Sequence, residues 1–220
     1  MKKITIVSGK GGVGKTTFTA ALACLCANDG LNIVLTDCDV DAPNLAITLK
    51  NQEVKRNDIY SANIAVVDES QCIGCQECMN HCNFKAIKWS DENNKPIINE
   101  FECEGCGVCS LVCPQQCIQL SPIKTGELII SESKYGFPIV SGELLIGRGN
   151  SGKIVAEAKK TALKLAEQNN SEVILNDGPP GIGCPVIASL SDSDAIIIPV
   201  SYTHLRAHET SLHLVCRLLL

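Results

Sequence analysis

Residues 9–16 read GKGGVGKT, and this stretch decides the fold. It follows a β-branched run at residues 3–8 and precedes the small, apolar residues 16–28, so it joins a predicted strand to a predicted helix. Glycines at this spacing let consecutive backbone N–H groups face a phosphate, and the start of the helix adds partial positive charge. The stretch therefore predicts a phosphate-binding loop, against the alternative of a glycine-rich turn without a ligand.

The spacing of the motif gives its side chains separate tasks. Lys15 is expected to reach the β- and γ-phosphates of a nucleotide, and the Thr16 hydroxyl to hold Mg²⁺. The residues predicted to contact the nucleotide are Gly9, Lys10, Gly11, Gly12, Val13, Gly14, Lys15, Thr16 and Thr17 in the loop, with Asp177 further along the chain.

Strand and helix patterns alternate on both sides of this loop and again near residue 200. Helices are predicted at residues 16–28, closed by Gly30, and at 151–168, with Ser151 as the N-cap. Strands are predicted at 3–8, 31–36, 172–176 and 194–200. The alternation predicts an α/β fold with a parallel sheet. A sheet of this kind normally has further strand–helix units, so we expect its C-terminal part to be missing here.

The middle of the chain has a different composition. Residues 65–122 hold nine of the fourteen cysteines and the only tryptophan. We therefore predict a discontinuous, truncated P-loop domain at residues 1–64 and 123–200, with a separate domain inserted at 65–122.

The inserted segment contains the spacing C-x₂-C-x₂-C-x₃-C twice, first from Cys72 and again from Cys103, which indicates an internal duplication. This is the spacing of bacterial two-cluster ferredoxins, where the fourth cysteine of each run binds the other [4Fe–4S] cluster. That resemblance implies one cluster on Cys72, Cys75, Cys78 and Cys113, and one on Cys103, Cys106, Cys109 and Cys82. A zinc ribbon needs only paired C-x-x-C and would leave half of these cysteines without a role.

Other features of the cysteine pattern leave alternatives open. The second run ends with Pro114, as the ferredoxin motif expects, whereas the first ends with Asn83. Cys117 is expected to be a small core residue. Cys184 is either a packed thiol or a ligand of a third, intersubunit cluster. The segment 147–153 (GRGNSGK) also fits G-x-x-x-x-G-K, but Ile154 replaces the metal-binding hydroxyl, so we interpret it as a loop and helix cap.

The form GKGGVGKT, with the additional Lys10, resembles the deviant motif of the MinD/ParA/Mrp and nitrogenase iron-protein superfamily, and the resemblance extends over residues 1 to about 200. In that superfamily the first lysine reaches the partner's nucleotide, so the resemblance implies a homodimer with ATP at the interface. A solvated loop lysine is the simpler interpretation of Lys10.

Two acidic segments resemble the switch regions of the same superfamily. TDCDVDAPNL at residues 36–45 matches the first switch, with Asp39 as the catalytic aspartate that orients water and Asp37 and Asp41 close enough to serve Mg²⁺. DGPPG, which begins at Asp177, matches the second switch of the Mrp branch, with Asp177 in the Mg²⁺ shell. Gly178 and Gly181 are expected to give it backbone freedom. A plain acidic turn is the alternative for 36–45.

Charge and hydropathy limit the function classes. The net charge is −5 and 45% of residues are hydrophobic, so there is no basic surface that indicates nucleic acid and no segment of membrane-spanning length. With no signal peptide evident, the sequence predicts a cytoplasmic protein, where many cysteines favour metal ligation over disulfides.

The last twenty residues, 201–220, differ in composition, with three of the four histidines and six leucines. They could form an amphipathic helix, but they resemble translated sequencing-adapter read-through, so we interpret them as a non-native tail and exclude them from the functional prediction.

Together these features resemble a P-loop ATPase with an inserted two-cluster ferredoxin domain. The expected function is ATP hydrolysis coupled to electron transfer, with two [4Fe–4S] clusters, ATP and Mg²⁺ as cofactors and a redox enzyme as partner. A cluster carrier of the Mrp type, acting on an iron–sulfur acceptor protein, is the first alternative. A positioning ATPase of the MinD or ParA type is the second.

Overall fold

The computed structural model describes residues 1–200 and 217–219. The chain forms two compact units. The first contains residues 1–59, 126–145 and the chain from residue 150 onward, and the second contains residues 60–125 and 146–149.

Strands and helices account for most of the described chain. In chain order the elements are β1 (Lys2–Ser8), α1 (Lys15–Asn28), β2 (Ile33–Asp37), α2 (Leu45–Thr48), β3 (Gln52–Ile59), β4 (Ala62–Val67), α3 (Glu77–Asn80), β5 (Ile87–Ser90), β6 (Lys95–Ile98), α4 (Val108–Val112), β7 (Ile118–Ile123), β8 (Gly126–Glu132), β9 (Pro138–Leu144), α5 (Ser151–Gln168), β10 (Val173–Pro180), α6 (Cys184–Leu190), β11 (Ala195–Ile198) and β12 (Arg217–Leu219).

The first unit is built on an eight-stranded sheet of order β12-β11-β1-β10-β2-β9-β8-β3. The predicted parallel sheet is present in its five central strands, from β11 to β9. The prediction was incomplete at the edges, because β8, β3 and β12 are antiparallel to their neighbours. β3 escaped notice because it is a largely exposed strand whose sequence, QEVKRNDI, has no regular apolar face.

The two long helices pack through small and β-branched residues. α5 spans the predicted residues, and its buried positions recur every three or four residues from Ile154 to Ala166, against Val34 and Val140 of the sheet. α1 packs Ala20 and Ala23 into a second cluster with sheet residues. One detail was wrong: the N-cap of α5 is Asn150, with φ 71°, and Ser151 is already the first helical residue. Gly30 has the left-handed φ of 80° expected of a residue that closes α1.

The second unit repeats one structure twice. β4 pairs with β7 and β5 pairs with β6, both antiparallel, and equivalent residues of the two halves keep the same register: Val67 lies opposite Ile118 as Ile98 lies opposite Ile87. The connecting hydrogen bonds repeat as well. Asp68 N–H donates to the Cys117 carbonyl at 2.8 Å, and Asn99 N–H donates to the Ala86 carbonyl at 2.7 Å. The duplication seen in the sequence is therefore a structural repeat.

The chain enters and leaves this repeat at neighbouring points of the first unit. Ile59, at the end of β3, lies opposite Gly126, at the start of β8. An insertion between paired strand ends leaves the pairing of the large sheet intact. The tail interpreted as non-native lies outside the described residues, apart from 217–219. Among the described residues, none of the helices combines the length and apolar character needed to cross a bilayer.

Candidate functional site

The phosphate loop lies between the carboxyl end of β1 and the start of α1. Gly12 and Gly14 have φ of 77° and 88°, and the loop residues from Gly9 to Gly12 are exposed. The Ser8 hydroxyl donates to the Lys10 carbonyl at 2.6 Å and braces the turn. Lys15, at the start of α1, is buried, and Thr16 is half-buried. The loop thus presents backbone N–H groups and the end of a helix at one edge of the sheet, the arrangement that binds phosphate.

Asp177 is anchored to α1 by two threonine hydroxyls. Thr16 Oγ1 donates to Asp177 Oδ2 at 2.6 Å, and Thr19 Oγ1 donates to Asp177 Oδ1 at 3.0 Å. Burial raises the pKa of Asp177, although these hydrogen bonds and the charge of Lys15 oppose that shift. The sequence analysis missed Thr19. Its position on the buried face of the helix, four residues after Lys15, was the available signal.

The two other candidate acids have different surroundings. Asp37 is fully buried, and its carboxylate accepts hydrogen bonds from Leu45 N–H at 2.9 Å and Asp39 N–H at 3.1 Å. Burial raises its pKa to about 7. Asp39 is half-buried, with a pKa raised by burial and lowered by the charge of Lys15. Asp41 is exposed. Asp37 therefore holds the turn of the first switch, and Asp39 is the acid that the turn presents beside Lys15.

The second switch begins inside β10. A main-chain hydrogen bond of 2.8 Å from Cys38 N–H to the Asp177 carbonyl joins the two switch segments, and Gly181 N–H donates to the Ser8 carbonyl at 3.0 Å. Gly181 has φ 96° and open space around it, a backbone conformation that favours glycine. The expectation for Gly178 was wrong: a Cβ there would lie 2.5 Å from Val7 Cγ1 and 2.8 Å from the Ile6 carbonyl. Gly178 is required for close strand packing.

The second glycine-rich segment has another function in the fold. β9 ends at Leu144, three residues before Gly147 begins the segment. Arg148 lies over the Phe101 ring, 5.0 Å from its centroid, and donates to Glu100 Oε2 at 2.7 Å. The guanidinium is thus used in packing within the second unit, and the segment is a loop before α5.

The cysteines of the two runs line two separate pockets of the second unit. The first, named here the Cys72 pocket, is lined by Cys72, Cys75, Cys78 and Cys113. The second, the Cys103 pocket, is lined by Cys103, Cys106, Cys109 and Cys82. Each pocket takes three cysteines from one run and the fourth from the other, which is the division that the ferredoxin spacing implies. Four thiols per pocket form the donor set of a [4Fe–4S] cluster, so these residues fit such a group.

Each loop that carries three of these cysteines packs closely against the other half of the repeat. Gly74 and Gly105 have φ of 72° and 61°, and a Cβ on Gly105 would lie 2.2 Å from the Asn63 carbonyl oxygen. A Cβ on Gly74 would meet Asn94 in the same way, at 2.4 Å from Nδ2. Asn63 and Asn94 are themselves equivalent positions of the repeat. Each cysteine loop thus packs closely against the equivalent asparagine of the other half of the repeat. This packing holds the loop that carries three cysteines of one pocket.

Single-ion sites follow a different geometry. Within residues 1–200 and 217–219, no three His, Cys, Asp or Glu side chains converge as the ligands of one metal ion would. In a [4Fe–4S] cluster each cysteine binds a different iron, so the thiols are spaced around the group rather than gathered on one point.

The remaining cysteines have varied surroundings. Cys117 is buried in the core of the second unit, as expected, but it also lines the Cys72 pocket, with its Sγ 3.5 Å from Cys113 Sγ. Cys184 is exposed at the start of α6, and a Cβ on Gly152 would lie 3.4 Å from its Cβ. Cys38 is fully buried beside the switch. The third cluster at Cys184 stays a prediction.

The family model described as the CobQ/CobB/MinD/ParA nucleotide binding domain matches residues 4–193. The chain belongs to this family. The match begins in β1 and ends between α6 and β11. Its nucleotide-binding character agrees with the phosphate loop described above.

The chain is also similar to individual proteins, over different parts of its length. The chain is 40% identical over 201 residues to the uncharacterized protein MJ0578 of Methanocaldococcus jannaschii, an alignment that includes 91% of this chain and 68% of that protein. It is 52% identical over 46 residues to the septum site-determining protein MinD of Thermotoga maritima, covering 21% of this chain and 17% of that protein. Among solved structures, MinD of Pyrococcus horikoshii complexed with Mg-ADP aligns over 90% of this chain and 56% of that chain, with 17% identity and a TM-score of 0.44.

Proposed function

We propose that this protein is an ATP-hydrolysing iron–sulfur protein whose nucleotide state controls electron transfer by two [4Fe–4S] clusters. The observation that carries the proposal is the crossed arrangement of cysteines: each pocket draws three thiols from one half of the repeat and the fourth from the other half. Nucleotide binding itself follows from the family. ATP, its hydrolysis, the clusters and their coupling are the proposed elements.

For hydrolysis, the chain supplies the groups that a phosphoryl transfer needs. Lys15 brings positive charge to the β- and γ-phosphates, and the Thr16 hydroxyl is available to Mg²⁺. Asp177 accepts the Thr16 hydrogen bond and so orients this ligand. Asp39, half-buried beside Lys15, accepts a hydrogen bond from the attacking water and holds it in line with the γ-phosphate.

For the response to nucleotide, the relevant contacts are main-chain hydrogen bonds between the switches. Cys38 N–H donates to the Asp177 carbonyl, so a displacement of the second switch segment would also move the first. Gly181 binds the Ser8 carbonyl and thereby ties the DGPPG segment to the phosphate loop. Loss of a γ-phosphate changes the interactions of both segments, which is how nucleotide switches act.

For electron transfer, the cysteine pockets supply the cofactor sites. When bound, [4Fe–4S] clusters accept and donate single electrons at low potential. Cys75 and Cys106 are exposed, whereas Cys78 and Cys109 are buried, so each pocket faces solvent on one side. A redox partner can approach that side. A reducing cytoplasm is the compartment that keeps such thiols available for ligation.

For assembly, the proposal includes a homodimer with ATP at its interface. Lys10 supports this, because it lies on the exposed part of the phosphate loop and can extend to a second copy. Its place in GKGGVGKT, where the resembling superfamily uses it across a dimer, gives the specific expectation.

The decisive experiment is an anaerobic EPR redox titration of reconstituted protein, with and without MgATP. Two [4Fe–4S] signals whose midpoint potentials move with nucleotide support coupled electron transfer. Two signals that ignore nucleotide contradict the coupling, and iron that does not bind contradicts the cofactor assignment.

A second candidate is a cluster carrier of the Mrp type, acting on an iron–sulfur acceptor protein. The observation that favours it is the exposure of Cys75 and Cys106, which leaves one ligand of each pocket accessible to an acceptor. Incubation with an apo-ferredoxin separates the two functions. Clusters that transfer to the acceptor support the carrier, and clusters that stay and cycle between redox states support electron transfer.

A further inference from the structure

The structural repeat allows the two pockets to be compared position by position. Aligning the two halves so that Cys72 matches Cys103 and Cys113 matches Cys82 maps the lining of one pocket onto that of the other. Every difference between them is therefore a substitution within a common frame. Identical ligand sets in identical frames would give similar reduction potentials. Differences in potential must therefore come from the substituted neighbours.

The first difference is a thiol beside one ligand. Cys117 lines the Cys72 pocket, and its Sγ lies 3.5 Å from Sγ of Cys113, the ligand contributed by the other run. The equivalent residue in the Cys103 pocket is Ala86, which has no hydrogen to donate. With Cys113 bound as a thiolate, the Cys117 S–H is the donor in this pair. A hydrogen bond to a ligand sulfur stabilises the reduced, more negative form of a cluster.

The second difference is a positive charge. Lys95 Nζ donates to the Cys72 carbonyl at 2.5 Å and to the Glu69 carbonyl at 2.8 Å, which fixes the ammonium beside the Cys72 loop. The equivalent position in the other half is Ile64, an uncharged residue. A cation held near a cluster also favours the reduced form, because reduction adds negative charge.

Further differences in the lining act in the same direction. Gln76 and Gln115 line the Cys72 pocket, and their equivalents in the Cys103 pocket are Gly107 and Phe84. Glu104 lines the Cys103 pocket where the Cys72 pocket has Ile73, so a carboxylate stands where the first pocket has an apolar side chain.

One acidic residue lies on the Cys72 side. Glu77 follows Gln76 but does not line that pocket, and its Oε2 is 3.5 Å from His81 Nδ1. Exposure of the ligands does not predict different potentials for the two pockets. Each pocket has one exposed and one buried cysteine, and these occupy equivalent positions of the repeat.

We propose that the clusters have unequal reduction potentials, that the cluster in the Cys72 pocket takes the first electron, and that Cys117 and Lys95 are the positioning residues that set this order. The inference rests on the proposed function, since it requires clusters in both pockets. A one-electron reductant such as dithionite supplies the electron. In the singly reduced protein the electron then resides in the Cys72 pocket, and the Cys103 pocket is the low-potential site.

The test is an anaerobic EPR redox titration of reconstituted full-length protein, with iron counted in every sample. In the unaltered protein, two [4Fe–4S] midpoint potentials are expected to differ by at least tenfold in equilibrium constant, about 59 mV for a one-electron couple. Cys117→Ala should lower only the higher potential, whereas Cys117→Ser, which keeps a hydrogen-bond donor, should leave it near its original value. Ala86→Cys should raise only the lower potential.

A second pair of variants avoids the buried core. Lys95→Met should lower the higher potential, and the control Lys88→Met, at an exposed position of β5, should change neither. Glu104→Gln should raise the lower potential.

Equal midpoints in the unaltered protein would overturn the inference, as would potentials that ignore both Cys117→Ala and Lys95→Met. Absence of iron would overturn the proposed function together with it. Midpoints that are ordered as expected but indifferent to MgATP would support the inference and contradict only the coupling.

Discussion

Thr16 and Asp177 lie 161 residues apart in the chain, and their side chains are joined by a hydrogen bond of 2.6 Å. The bond connects the start of α1 to the middle of β10. It therefore aligns the hydroxyl that would bind Mg²⁺ with the carboxylate that would support it. A second bond, from Thr19, fixes the other carboxylate oxygen.

Asp177→Asn should weaken Mg²⁺-dependent nucleotide binding by about 10–100-fold, the usual effect of losing a group that orients a metal ligand. Nucleotide binding without Mg²⁺ should change little. Calorimetric titration with MgADP, compared with ADP in chelator, measures both. The matched control is Asp91→Asn at an exposed position, and an equal loss in that variant would contradict the assignment.

Substitutions in the phosphate loop and in the cysteine pockets should have separate effects. Lys15→Ala should lower ATP hydrolysis by at least about 100-fold, as expected when a major electrostatic contact to the transferred group is lost, while iron content stays unchanged. Cys106→Ala should lose iron while nucleotide still binds. Phosphate release and iron assays on the same preparations measure the pair, with Lys164→Ala on α5 as the control. Loss of both properties in either variant would contradict two separable sites.

Lys10 should be needed for assembly rather than for binding. In Lys10→Ala, nucleotide affinity should stay close to that of the unaltered protein, because Lys15 still contacts the phosphates. Dimerisation on addition of a non-hydrolysable ATP analogue should be lost. Sedimentation velocity measures the assembly. A variant that still dimerises fully would show that Lys10 is a solvated loop residue.

The buried carboxyl of Asp37 predicts a pH-dependent stability. Its pKa is about 7 in the folded protein and near 3.8 when unfolded, so between these values the folded state binds the proton more tightly. Its contribution is therefore fully present at low pH and is lost as pH rises through about 7, by at most about 1.4 kcal/mol per pH unit. Denaturant unfolding from pH 4 to pH 8 measures the slope. The free energy of unfolding of Asp37→Asn should depend less on pH over this range. If it changes with pH as much as that of the unaltered protein, Asp37 is not the origin of the effect.

Gly178→Ala should destabilise the first unit by about 1–3 kcal/mol, since the added methyl group meets Val7 and the Ile6 carbonyl in the strand packing. Gly149→Ala is the control, because a Cβ there has open space and no positive φ to adopt. Thermal unfolding of both variants distinguishes them. If Gly178→Ala is as stable as the control, close packing does not explain this glycine, and the expectation that it provides backbone freedom would stand.

Sequence reasoning reached the centre of the fold but not its edge. The strands around the phosphate loop are short, apolar and bounded by glycine or acidic residues, so their local pattern matched their buried positions. β3 and β8 were not found because they are antiparallel strands at one edge of the sheet, whereas β9, the last of the central parallel strands, was missed for a different reason. β3 is mostly exposed, and β9, PIVSGEL, has a proline and a glycine within a buried strand.

The cysteine sets were available from the sequence because its spacing resembles that of two-cluster ferredoxins, and that resemblance implies the crossed arrangement. What sequence reasoning could not supply were contacts between distant residues. The Thr19 bond to Asp177 and the Lys95 contact with the Cys72 carbonyl join segments 158 and 23 residues apart, and no local pattern marks either one. The role of Gly178 was misassigned for the same reason, because its constraint lies in the neighbouring strand.

The crossed pockets also impose an order on biosynthesis. When the first run has left the ribosome, the Cys72 pocket still lacks Cys113. The other three cysteines of the Cys103 pocket, which Cys82 joins, have not yet been translated. The last ligand of either pocket to be translated is Cys109 for the one and Cys113 for the other, only four residues apart. Under the proposed function, iron loading during translation would therefore be a late and nearly simultaneous event for both pockets, completed just before β7 closes the repeat. A nascent chain that stalls between the two runs carries all four cysteines of the first run and no complete four-cysteine set.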